Sequence, residues 1–203
     1  TWMIVRISDK IRGFLFSPSE AFWQVRDEHL QDTMIYFVII SIIYTLLSTI
    51  ISGIAVSKHP ALVLAGLGFG SGNVVLSFFI ILALTVVMAV VYACWLHLWI
   101  IMVCGRNGLE KTIKATLYSL TPAILIGWIP VIGAFAAPLW SVVVGVIGIQ
   151  ELHKASFGKA MIAILIAIIT AAILAAVLFK PLLAEVIASG PDLIGPYHSR
   201  PIL

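Results

Sequence analysis

From Val74 to Val103 the chain runs for thirty residues without one Asp, Glu, Lys or Arg. About 20 mostly apolar residues are enough for a helix to cross the hydrocarbon core of a bilayer. Four further apolar runs share the chain with this one, and together they decide the fold class. Of the 203 residues, 62% are apolar and 10% are charged, whereas soluble domains sit near 45–50% and about 25%. Mean hydropathy is +1.14. A 22 kDa water-soluble domain has too little interior to hide so much apolar surface. Disorder is excluded as well, because it needs low hydrophobicity and high net charge. The sequence therefore predicts an all-α polytopic membrane protein.

The predicted spans are Thr33 to Val56, Val74 to Val103, Ala115 to Ile129, Val131 to Ile149 and Lys159 to Phe179. The third and fourth are short, carry Pro122, Pro130 and Pro138, and are separated by the Gly127-Trp128-Ile129-Pro130 break. They read as two crossings; a kinked pair or a re-entrant pair is the alternative. Lys and Arg then sort onto two sides. The segment before the first span, the second loop and the fourth loop hold nine of them, and the opposite side holds three. The positive-inside rule places the N-terminus in the cytoplasm and the C-terminus outside.

Residues 1–32 read as a cytoplasmic-side region, 33–179 as the membrane domain, and 180–203 as an extended outer tail. The first sixteen residues carry four charges, which does not suit a signal-peptide core. Ile4, Ile7, Ile11, Phe14 and Leu15 recur at helical spacing between Arg6, Asp9, Lys10 and Arg12. That pattern predicts an amphipathic helix on the membrane surface, its basic residues suited to anionic headgroups. Ser17-Pro18-Ser19-Glu20 then reads as a capping box opening a second helix through about Leu30. Asp27, Glu28 and Asp32 read as a solvated helix end.

Few motifs carry chemistry. Ala163, Ala167, Ala171 and Ala175 repeat every four residues, and small residues let helices approach closely in lipid. Gly145 and Gly148 offer a matching surface, either within the chain or in a second subunit of a homo-oligomer. The Gly66–Asn73 stretch lacks the Gly-Lys-Ser/Thr ending of a phosphate loop and reads as a turn. His97 is the one ionisable residue well inside a span, and such a residue is a functional candidate by default. Cys94 shares its face, but no further ligand completes a tetrahedral site. No metal and no cofactor are expected. Hydrolase and metalloprotease motifs are absent from the sequence, no basic run suggests nucleic acid, and an enzyme is not expected. Asn73, Thr85 and His97 form the candidate polar face of a pore.

Residues 97–160, taken together, carry a resemblance. His97-Leu98 is followed by Gly105-Arg106-Asn107-Gly108, Tyr118-Ser119-Leu120-Thr121-Pro122, Trp128-Ile129-Pro130, Leu139-Trp140, the Gly148–His153 string and Ser156-Phe157-Gly158-Lys159-Ala160. Upstream, Ser17–Phe22 belongs to the same order. The chain resembles the Yip-domain family, the Ypt/Rab-interacting membrane proteins, in a short prokaryotic form, over about residues 14–179. Pro18, Phe22, Tyr118, Pro122, Trp140 and Lys159 are the positions that carry the likeness. It implies five spans, a cytoplasmic N-terminus and, by analogy with eukaryotic members, a GTPase partner and a role in shaping membranes. The function expected first is a non-enzymatic scaffold, adaptor or membrane-shaping factor in a prokaryotic plasma membrane. Its partners would be the lipid bilayer and a protein at the cytoplasmic face (residues 1–32, 105–114 and 151–159). The alternative is an oligomeric channel or facilitator for ions or small solutes.

Overall fold

The computed structural model describes residues 2–58, 74–105, 108–129 and 132–193. Every regular element among them is a helix: α1 Trp2–Phe16, α2 Pro18–Val25, α3 Leu30–Lys58, α4 Val74–Cys104, α5 Leu109–Ser119, α6 Thr121–Ile126, α7 Ile132–His153 and α8 Phe157–Leu193. Four of the helices, α3, α4, α7 and α8, are long and apolar enough to cross a membrane. The expected first, second, fourth and fifth spans each fall on one of these four.

The expected third span is not one helix. It is divided at Leu120 into α5 and α6, of 11 and 6 residues. Pro122 lies in the first turn of α6, where its missing N–H costs no hydrogen bond because the first-turn N–H groups have no intrahelical acceptor. The turn is closed by the Leu120 N–H on the Thr116 carbonyl at 3.1 Å and by the Ile124 N–H on the Leu120 carbonyl at 2.9 Å.

Two compact units divide the chain, Thr1–Ile164 and Leu165–Leu203. The first has an inverted distribution of polarity. Its centre is α5, which packs against α3, α4, α6 and α7. Thr112, Lys114, Thr116 and Ser119 of α5 are all buried. The most apolar helix, α4, stays at the periphery, burying Ala89, Ala93, Leu96 and Ile100 while Val75, Phe79, Val87 and Met102 face outward. Lipid is as apolar as leucine, so burying leucine yields nothing there, and packing plus polar contacts hold the centre. The second unit is the remainder of α8, whose Ile169, Ile173, Val177 and Leu178 are exposed.

Three local expectations are corrected. Ser17 does precede α2 and Pro18 does open it, but the Ser17 side chain makes no capping bond. Helix α2 ends at Val25, not near Leu30, and the turn that follows brings the Glu28 carboxylate to Tyr118 and its carbonyl to Lys114. Past residue 180, where an extended tail was expected, α8 continues to Leu193. The run Leu182–Ala188 is rich in good helix formers, and Pro181 costs the helix one hydrogen bond without ending it.

Candidate interface at the polar end of the bundle

The starts of α3, α5 and α8 and the ends of α4 and α7 gather at one end of the first unit, where α1 and α2 lie across them. Phe14 in α1 is fully buried, so this helix does not rest on lipid alone. Its ring stacks on Tyr118 at 4.4 Å between centroids and meets Phe22 edge-on at 4.9 Å. Tyr36 joins at 5.2 Å from the Tyr118 ring, and its hydroxyl shares a 3.1 Å hydrogen bond with Thr121 at the start of α6. Four aromatic rings from four helices thus close this end. Pairs of this geometry each contribute about 0.5–1.5 kcal/mol beyond area burial.

Beside the rings lies a charged triangle. Lys10 Nζ donates to Glu28 Oε2 at 2.7 Å and to the Tyr118 hydroxyl at 3.1 Å. The Tyr118 hydroxyl donates to the same Glu28 oxygen at 2.8 Å. The Lys10 ammonium also sits over the Tyr36 and Tyr118 rings. Lys114, buried in α5, donates to the Glu28 backbone carbonyl and pairs with Glu110 Oε1 at 3.0 Å. Glu28 is therefore no solvated helix end; Asp27, its neighbour, is. A third polar chain ties α4, α5 and α7 together. His97 Nδ1 lies 2.8 Å from Thr112 Oγ1, which lies 3.1 Å from His153 Nε2. Ser19 of α2 donates to Glu151 of α7 at 2.5 Å.

The residues singled out from sequence separate into those that meet here and those that do not. Phe22 and Tyr118 form the aromatic cluster, and the Trp140 indole N–H donates to the Leu15 carbonyl at 3.2 Å. Pro18 and Pro122 open α2 and α6. Lys159 is exposed. Gly148 does not face α8: a Cβ there would sit 2.6 Å from Phe22 Cζ, so this glycine is the seat of the Phe22 ring. Gly145 does approach α8, at Ile164, on the rim of an apolar cleft of about 320 Å³ that Tyr92, Leu96 and Pro138 also line. Ala163 and Ala167 are buried, Ala171 is half-buried and Ala175 is exposed.

The candidate pore residues do not converge. Asn73 lies outside the described residues. Thr85 Oγ1 donates to its own helix at the Ile81 carbonyl, 2.8 Å away, and lines a separate cleft with Phe37 and Tyr44. His97 is twelve residues along α4, about 18 Å away, and is engaged with Thr112. Among the described residues no group of three or more His, Cys, Asp or Glu is placed to hold a metal ion.

Long apolar helices turned outward, a polar helix at the centre and a charged, aromatic end define an integral membrane protein of the helical-bundle class. A family model, the Yip1 domain, matches residues 12–179, and the chain belongs to that family. No curated protein and no solved structure matches it.

Proposed function

We propose that this protein is a non-enzymatic scaffold or membrane-shaping adaptor, and that the face built by α1–α2, the α4–α5 turn and the α7–α8 turn is its working surface. One observation carries this reading. The α1–α2 pair is fixed to the bundle by the Lys10–Glu28–Tyr118 triangle and the aromatic cluster, yet Phe16 and Trp23 stand 81% and 68% exposed. A rigidly held amphipathic pair with outward aromatics is suited to wedge into one leaflet at headgroup depth. Reconstituted at high protein-to-lipid ratio, the wild-type chain should narrow or tubulate vesicles seen by electron microscopy. The Phe16→Ser/Trp23→Ser variant should leave them round. Vesicles equally round with both proteins would remove the shaping role, and an ion current through wild-type vesicles would put the channel reading first.

The same proposal takes α5–α6 as the fifth crossing. Leu109 to Ile126 comprises 18 residues, about 27 Å of helix, close to the roughly 30 Å of a hydrocarbon core. Trp128 follows at the tip, its indole N–H on the Leu125 carbonyl at 2.7 Å, and tryptophan favours the far interface. Five crossings with the basic loops inside put the N-terminus in the cytoplasm. A reporter joined after Leu203 should then read outside and one before Thr1 inside; the same side for both would mean an even number of crossings, with α5–α6 entering and returning while α3, α4, α7 and α8 cross.

A further inference from the structure

A crevice of about 240 Å³ lies between α1 and the start of α3. Lys10, Glu28 and Asp32 line it toward the helix start, and Ile7, Ile35 and Ile39 line the remainder. From Asp32 to Ile39 is about 10 Å along α3, so the lining changes from ionic to apolar over the depth at which a bilayer does the same. We propose that this crevice is a binding site for a phospholipid whose headgroup carries a primary amine.

The charge pattern selects that class. Lys10 and Glu28 offset each other at 2.7 Å. Among the described residues Asp32 enters no ion pair, so the lining carries one unbalanced negative charge. An anionic headgroup is disfavoured there. An ammonium is favoured, and a primary one brings three N–H donors to the Asp32 carboxylate where a quaternary one brings none. Lys10 has three donors of its own. Two are spent on Glu28 and Tyr118, and the third is available to the phosphate oxygens on the same headgroup. The lipid's chains then follow Ile35 and Ile39 down the outside of α3, where Ile35 is exposed. This apolar continuation makes the occupant a membrane lipid and not a free headgroup. The basic residues of α1, read from sequence as suited to anionic lipid, thus leave a crevice whose own balance favours a zwitterion.

The site stands whether or not the chain bends membranes or recruits a partner, since its test reads lipid selectivity alone. Delipidated full-length protein in detergent would be titrated with equal amounts of dioleoyl phosphatidylethanolamine, phosphatidylcholine and phosphatidylglycerol, and bound lipid counted by native mass spectrometry. The ethanolamine lipid should be retained about threefold over the other two, the scale of a partly exposed charge pair. Asp32→Asn should bring the three to parity. Asp27→Asn removes the same charge from a side chain 94% exposed outside the crevice and should leave the preference intact. Chain-free glycerophosphoethanolamine should not displace the lipid. Equal retention of all three lipids by wild-type protein, an unchanged preference in Asp32→Asn, or displacement by the chain-free headgroup would each overturn the proposal.

Discussion

Tyr118→Ala should lower the midpoint of thermal unfolding in detergent by about 10 °C, on the scale of 3–5 kcal/mol for truncating a buried aromatic. The ring is fully buried and contacts Phe14, Phe22 and Tyr36, so its removal opens a cavity where α1, α2, α3 and α5 meet. Its hydroxyl is also the second donor to Glu28 Oε2. Tyr118→Phe separates the two contributions. It keeps the stack on Phe14 and removes the hydrogen bonds to Lys10 and Glu28, with a loss of about 1–2 kcal/mol. If the ring anchors α1–α2, limited proteolysis should cut between α1 and α3 in Tyr118→Ala well before it cuts in Tyr118→Phe. Equal cutting in both would place the anchor in the charged triangle and not in the aromatic cluster.

The parts of this fold that were legible in the sequence are those that depend on one helix at a time. Apolar length and absence of charge located α3, α4, α7 and the membrane part of α8, and the ordered small-residue and proline features pointed to the family that the Yip1 domain match establishes. Pro122 marked a disturbed third span, but where it breaks depends on what α5 packs against. The polar end was not legible, because nothing in local spacing pairs Lys10 with Glu28 and Tyr118, 18 and 108 residues away. A charge beside an amphipathic stretch reads as solvated until the fold brings a partner to it. Lys114 shows the same limit. Counted from sequence as a loop charge, it is buried on the central helix, with the Glu28 carbonyl and Glu110 as partners. His97 was singled out for lying inside a span, and its partner Thr112, and His153 beyond it, come from helices that sequence spacing does not connect.

Gly148→Leu should be the next most damaging change after the loss of Tyr118, and its cause can be isolated. A glycine in a membrane span invites the reading of helix-on-helix packing through small residues. Here it accommodates one side chain, with the Phe22 ring 2.6–3.0 Å from where a Cβ would stand. Phe22 is itself fully buried and held edge-on by Phe14, so it has no room to yield. Forcing methylenes into a filled site costs about 1–3 kcal/mol, and here the strain falls on the contact between α2 and α7. The expected result is a lower unfolding midpoint with early proteolytic release of α1–α2. Phe22→Ala alone should also destabilise, by leaving a cavity. Combined with Gly148→Leu, it vacates the space the leucine needs, so the double variant should be more stable than the sum of the single losses predicts, by at least about 1 kcal/mol. Additive losses would show that Gly148 is required for some other reason, such as the approach of a second helix, and would return it to the small-residue surface that the sequence first suggested.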